Sequence, residues 1–217
     1  MQIEDIKIDL DKDIKCKKIQ LFFKRIFDFL ISLLGIIVLS IVFIVLAIWV
    51  KLDSKGPAIF KQTRVGKNGK KFIIYKFRTM IVDADKKMTL DINPEDLESF
   101  VFQSRNDSRI TRSGAFLRKT SLDEIPQLFN VLLGNMSLVG PRPEIPDVVK
   151  FYPEAYKQRL LVTPGITGLA QVNGRGEIEL GKTVYYDLIY IKNFSLWTDI
   201  KILLKTVFSV FKSEGAF

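Results

Sequence analysis

The sequence predicts a mainly helical α+β protein with an apolar membrane helix near its N-terminus, one small β-hairpin and an amphipathic helix near its C-terminus. Three observations carry this. Residues 29–50 run for 22 positions without a charge. Two β-prone stretches, 58–65 and 70–79, flank Asn68-Gly69, a pair suited to a tight turn. Residues 196–211 place Trp197, Ile200, Leu203, Leu204, Val207 and Phe211 on one broad stripe, with Lys201, Lys205 and Lys212 off it.

The apolar run comes first. Only Ser32, Gly35 and Ser40 interrupt its aliphatic and aromatic residues. As a helix it is about 33 Å long, against a hydrocarbon core of about 30 Å. It is too long for a signal-peptide core, and no A-x-A-like site follows it. Both flanks are basic: Lys15, Lys17, Lys18, Lys24 and Arg25 precede it, and residues 51–78 hold nine cations against the single acid Asp53. Basic flanks belong on the cytoplasmic side, so the two flanks ask for the same side. A spanning helix satisfies one flank, a helix that bends and returns satisfies both, and the residues alone leave the two open. A bend requires its freed backbone groups to be satisfied locally, and Ser40 offers a hydroxyl for that.

Composition narrows the chemistry. The 217 residues include no histidine and one cysteine, Cys16. Imidazole bases, His metal ligands, thiolate cages and intrachain disulfides are all excluded. Catalysis falls to carboxylates, Lys, Arg, hydroxyls and backbone, and any metal is expected to be a hard, oxygen-liganded cation such as Mg²⁺. The net charge of +9 points to an anionic partner: phosphates, acidic lipid or nucleic acid.

The remaining elements follow in order. Residues 1–20, with five acids and five lysines, read as a mobile arm with a short helix. On the second hairpin strand Phe72, Ile74, Lys76 and Arg78 share one face, so two cations point the same way. For those two a phosphate-facing role stands beside a solvated strand edge; Lys67, Lys70 and Lys71, near the turn, fit the edge. Residues 81–105 are polar and loop-like, 110–133 helical in two pieces, and 144–162 helical with an interruption at Tyr152-Pro153. Residues 164–168 and 173–176 read as turns.

The chemistry concentrates at Ser121-Leu122-Asp123-Glu124-Ile125-Pro126. A proline is tolerated only near the start of a helix, so a helix begins close to Asp123 and its positive end favours ionised carboxylates. Ser121 and Glu124 also fit a capping box. The context is cationic: Arg118 precedes the acids, Arg142 sits between two prolines in Gly140-Pro141-Arg142-Pro143, and Arg175 lies between glycines. Carboxylates among arginines suit phosphoryl transfer. Asp83-Ala84-Asp85 matches a D-x-D metal motif, but no strand-helix alternation surrounds it, so its acids read as solvated helix residues.

Several longer motifs point further: residues 22–28, Phe60-Lys61-Gln62-Thr63-Arg64-Val65-Gly66, Tyr75-Lys76-Phe77-Arg78-Thr79-Met80, Asp107-Ser108-Arg109-Ile110-Thr111, the run 117–144, residues 164–168 and 171–175, and Tyr185-Tyr186-Asp187. In this order the chain resembles the bacterial sugar transferases that are monotopic polyprenyl-phosphate phosphoglycosyl transferases. The resemblance implies transfer of a sugar phosphate from a UDP-sugar to undecaprenyl phosphate with release of UMP (EC 2.7.8.-), the first membrane step of surface polysaccharide or glycoprotein glycan assembly. It implies Asp123 as the nucleophile and Mg²⁺ ligand and Glu124 as the base. Lys76, Arg118, Arg142, Arg175 and Asp187 are implied as substrate-binding or ordering residues.

The resemblance also implies a fold: an arm at 1–20, a re-entrant membrane helix at 21–51, a cytoplasmic catalytic domain at 52–217, and interfacial amphipathic helices on the inner membrane. Anionic lipids are expected partners and nucleic acid is not; a homo-oligomer and downstream glycosyltransferases stand open. The family often breaks its membrane helix with proline. Here the matching residues are Leu39-Ser40-Ile41, so the bend is expected from Ser40 bonding four residues back. Without the N-terminal bundle of larger relatives, the chain reads as the minimal catalytic form. Two other classes are weighed against this: a membrane-tethered nucleic-acid binder, which lacks a recognition element, and a non-catalytic scaffold, which leaves the acids and arginines unexplained.

Overall fold

The computed structural model describes Leu10, Ile14 and residues 16–84, 94–99, 107–174 and 178–212. Most of the N-terminal arm, most of 81–105, Asp85 and Arg175 lie outside these residues. Among the described residues the architecture is helical with two two-stranded sheets.

The apolar run forms two helices, α1 (Lys18–Val38) and α2 (Ser40–Asp53), bent by 64° across Leu39. Among the described residues no single helix is long and apolar enough to cross a membrane, although the bent pair together passes that test. The bend does not come from Ser40, whose hydroxyl has no hydrogen-bond partner among the described residues. It comes from Leu39, where φ −88° and ψ 5° leave the helical well while its N–H still reaches Gly35 and Ile37.

α1 is patterned inside out. Lys24, Asp28 and Ser32, spaced four apart along one edge, are its buried residues, while Phe22, Phe23, Leu30 and Leu34 are exposed. Asp28 accepts from Ser137 Oγ at 2.7 Å and from Leu138 N–H at 3.2 Å, and Lys24 donates to Asp199 at 2.6 Å. The helix therefore binds the rest of the protein through charge and shows its apolar side outward, the reverse of a soluble helix.

The hairpin forms as expected, with β1 (Ile59–Val65) antiparallel to β2 (Lys71–Phe77) around Asn68, whose φ of 55° suits the turn. Lys67, Lys70 and Lys71 are exposed there. Then come α3 (Arg112–Thr120), a 3₁₀ turn at Leu122–Glu124, α4 (Gln127–Leu132), β3 (Ser137–Val139), α5 (Pro146–Val149), α6 (Glu154–Lys157), β4 (Gly165–Thr167), α7 (Leu169–Gly174), α8 (Leu180–Lys192) and α9 (Leu196–Lys212).

Residues 165–167, read as a turn, are instead a strand parallel to β3, with Ser137 opposite Gly165 and Val139 opposite Thr167. Two glycines permit the approach: a Cβ on Gly165 would lie 2.1 Å from the nitrogen of Gly140. The pairing brings the Gly140–Pro143 turn against residues 163–168. The main core gathers Val131, Met136, Leu138, Val148, Tyr152, Leu188 and Ile191. A second cluster, Leu46, Val50, Phe77 and Leu117, joins α2 to the hairpin and α3. Along α9, Ile202 is buried, whereas Trp197, Leu204, Val207 and Phe208 are exposed.

Candidate active site

The two carboxylates lie between helices rather than in the first turn of one. α3 stops at Ser121, whose φ of 56° is left-handed and whose N–H returns to Arg118 and Leu117. The chain turns through Leu122–Glu124, and Pro126 then precedes α4. The expected capping box does not form: Ser121 serves as the C-cap of α3 and gives no side-chain cap to the turn. The Glu124 side chain goes elsewhere.

Glu124 Oε1 accepts from Lys76 Nζ at 2.7 Å and from Arg142 Nη2 at 3.0 Å. β2 supplies Lys76: Ile74, two residues earlier on that face, is anchored in the core and leaves Lys76 directed at the turn. The proline-flanked turn supplies Arg142. Arg118, from the last turn of α3, donates from Nε to Thr79 Oγ at 2.9 Å. Asp123, 9% exposed, sits within the field of all three cations.

The acids are pushed apart. Burial, reinforced by the Glu124 charge, pushes Asp123 up to about 6 against the opposing pull of Lys76, Arg118 and Arg142. Burial also opposes the charge of Glu124, but Lys76 and Arg142 outweigh it and hold that carboxyl below the usual range. Burial lowers Lys76 and Arg118 from their ordinary values, and Glu124 raises Arg142. Three cations thus face two carboxylates, a surplus that an incoming phosphate would balance.

Arg78 does not join this site. The strand ends at Phe77, and Arg78 turns back to the carbonyls of Val50, Ser54 and Lys55 at 3.2, 2.7 and 2.5 Å, capping the C-terminal end of α2. Asp83 lies in a turn with φ 62° rather than on a helix. Asp187 is 1% exposed and paired to Arg159 Nη2 at 2.6 Å; burial pushes it up to about 6 against that pairing.

Two further arginines, Arg159 and Arg64, bear on the site without a motif of their own in the sequence that marks a role. Arg159 is fully buried and also reaches Tyr152 Oη at 2.7 Å and the backbone oxygen of Arg142 at 3.1 Å. Asp187 therefore bears on the site through Arg159 and the Arg142 turn. Arg64 donates to Gln62 Oε1 at 2.6 Å and to the Pro143 carbonyl at 3.2 Å; its Nε is buried without a partner among the described residues. Burial pulls Arg64 down to about 10. The only hint of Arg64 in the sequence is its place in Lys61-Gln62-Thr63-Arg64.

Ligand number limits which metal this site could hold. Among the described residues no three or more His, Cys, Asp or Glu side chains converge. Glu124 is engaged by its two cations, so the protein offers chiefly the Asp123 carboxylate. That fits Mg²⁺, which binds through one or two carboxylates and takes its other ligands from substrate phosphates and water.

Residues 19–213 match the model of the family described as bacterial sugar transferase. The chain belongs to the bacterial sugar transferase family. The match takes in both arms of the bent helix, the acidic pair, its cations and α9. Among relatives, a Haemophilus influenzae protein named as an uncharacterized sugar transferase is 48% identical over 198 residues, 89% of this chain and 42% of that protein. The undecaprenyl-phosphate galactose phosphotransferase of Salmonella typhimurium is 44% identical over 206 residues, 93% of this chain and 43% of that protein. The UDP-glucose:undecaprenyl-phosphate glucose-1-phosphate transferase of Klebsiella pneumoniae is 44% identical over 207 residues, 92% of this chain and 42% of that protein. The chain thus spans less than half the length of these relatives.

Proposed function

We propose that this family member moves a sugar 1-phosphate from a UDP-sugar to undecaprenyl phosphate and releases UMP, through a covalent aspartyl phosphosugar. The observation that carries the reading is the buried Asp123 beside Glu124, framed by Lys76, Arg142 and Arg118. The names of the Salmonella and Klebsiella relatives supply the substrate classes.

An oxygen of ionised Asp123 attacks the phosphorus that bears the sugar. The bond from that phosphorus to the bridging oxygen breaks, and the oxygen leaves with UMP. An oxygen of undecaprenyl phosphate then attacks the same phosphorus, the bond to Asp123 breaks, and the carboxylate is restored. Lys76, Arg118 and Arg142 hold phosphate oxygens and offset charge where it develops. Glu124 orders Lys76 and Arg142 in the free site and takes the acceptor's proton once phosphate oxygens draw those cations away. Mg²⁺, held by Asp123 and the diphosphate, would supply further charge neutralisation. Arg175, which lies outside the described residues, keeps its expected phosphate-facing role.

The bent helix pair with its outward apolar side supports a re-entrant helix on the cytoplasmic face of the inner membrane, with the exposed stripe of α9 in the interface. A helix that returns also satisfies both basic flanks.

The test is radiolabelled sugar retained on denatured protein after mixing with UDP-sugar and Mg²⁺ alone. Retention with about one UMP per enzyme marks the covalent route. No retention, with full turnover once acceptor is added, means direct transfer, and Asp123 is then a metal ligand only.

A further inference from the structure

The segment that carries the acidic pair is gripped at both ends by charged side chains from the bent helix pair. At one end Asp53, the last residue of α2, accepts from Ser113 N–H at 2.9 Å and from Ser113 Oγ at 2.8 Å, in the first turn of α3. At the other end Arg25, on α1, donates to the carbonyls of Val131 at 2.6 Å and Leu132 at 2.9 Å, the end of α4. Each charge matches the helix end that it meets: a carboxylate on exposed N–H groups, a guanidinium on exposed carbonyls.

Between these grips the contact is apolar. Phe43 of α2 packs its ring 5.6 Å from Phe129 and 6.0 Å from Phe77, and Trp49 lies 5.3 Å from Phe116. Where α1 passes α4 a Cβ on Gly35 would lie 3.2 Å from Leu128 Cδ1. Arg78 ties the end of β2, and with it the strand of Lys76, to the same end of α2. Only residues 121–126 join α3 to α4, and they are all in turns. A displacement of either helix therefore has little chain in which to dissipate before it reaches Asp123.

We propose that Asp53 and Arg25 are positioning residues that make the geometry of the Asp123-Glu124 pair follow the bend between α1 and α2, so that the site is assembled when the helix pair is bent as in this structure. The inference deepens the transferase reading and rests on it. One grip is taken from each arm of the bend, so straightening the pair separates the grips and drags the two helices apart. Neither residue bonds to the acidic pair, so their effect is on alignment and not on substrate affinity.

The experiment uses the full chain in detergent, with UMP release from UDP-sugar and hydrogen exchange measured side by side. Asp53→Ala and Arg25→Ala are expected to lower kcat by roughly tenfold to hundredfold, the cost of an ångström-scale misplacement. KM for UDP-sugar stays within about twofold, because uniform binding is untouched. Asp53→Asn keeps an acceptor oxygen for Ser113 and recovers most of the rate. Arg25→Lys does not, since an ammonium lacks the fork that spans two carbonyls. Amides in 112–132 exchange faster in the two alanine variants, while those in 180–192 exchange as in wild type.

Leu39→Ala combined with Ser40→Ala, which favours a straight helix, is expected to reproduce both effects without touching either grip. A raised KM with unchanged kcat, exchange accelerated throughout the chain, or a straightened pair with wild-type rate and exchange would each overturn the proposal. If the wild type releases no UMP without acceptor, the covalent reading falls instead. The exchange comparison, which needs no catalysis, then still decides the linkage.

Discussion

Arg159 donates to the backbone oxygen of Arg142 at 3.1 Å, while the side chain of Arg142 reaches Glu124 at 3.0 Å. One buried arginine thus holds the main chain of another whose head faces the site. Asp187 and Glu144 supply the opposing charge, with Glu144 Oε1 3.5 Å from Arg159 Nη1. Asp187→Asn should therefore act first on stability. It removes one of the two acids that oppose the buried Arg159 charge, a defect worth at most about 3–5 kcal/mol because Glu144 remains. Thermal unfolding reads that loss. The triple variant Arg159→Met, Asp187→Leu and Glu144→Gln, which also removes the acid that Arg159 would otherwise leave behind, should restore much of the stability yet keep kcat low, because the Arg142 carbonyl has lost its donor.

Arg142→Lys should impair turnover several-fold with the fold intact. The guanidinium can hold two phosphate oxygens in one plane while it contacts Glu124, and an ammonium offers no such fork. Steady-state UMP release, together with an unchanged melting temperature, checks this. Wild-type activity in the lysine variant would leave Arg142 as a brace for its turn.

Asp123→Asn should abolish the UMP released without acceptor, since an amide is a poor nucleophile at phosphorus. Glu124→Gln should slow chiefly the second half-step while the labelled intermediate accumulates. Rapid quenching before and after acceptor is added separates the two. Asp83→Asn should leave both steps at wild-type rates, because Asp83 stands in a turn and the ion pairs of Glu124 go to Lys76 and Arg142 instead.

Arg64→Lys should raise KM for UDP-sugar more than it lowers kcat. The Arg64 Nε–H is buried without a partner among the described residues, beside the Arg142 turn, and a lysine there supplies charge without that donor. An unchanged KM would assign Arg64 to bracing Pro143.

Cys16, exposed and the only thiol, reports topology. An impermeant maleimide applied to intact cells should label neither Cys16 nor a cysteine introduced at Lys150. Inverted vesicles should label both. Labelling of one from outside and not the other would mean that the helix pair spans.

Much of this was legible in local pattern. Alternation along β2 placed Lys76, and Pro126 beside two acids marked where a helix restarts. The same alternation failed for Arg78, because the strand stops one residue earlier, held there by carbonyls of α2 far along the chain. The S-x-x-E spacing at Ser121 was present, but the residue is spent in closing α3 in a left-handed conformation. Arg159 carried no local signal: its acidic partners come from Glu144, 15 residues before it, and Asp187, 28 residues after it. The parallel strands β3 and β4, three residues each, are too short to show a period and depend on Gly140 and Gly165 meeting.

If the helix pair is the proposed membrane anchor, the buried charged edge of α1 means that it cannot be exchanged for a generic one. Lys24 and Asp28 answer Asp199, Ser137 and Leu138, and α2 completes the cluster around Leu117 and Phe77. A chain cut after Asp53 would bare a hydrophobic wall and strand Asp199 without its cation. Grafting a foreign transmembrane helix in its place would restore attachment but neither of these surfaces. Removing the helix pair by truncation would therefore remove part of the packed protein itself.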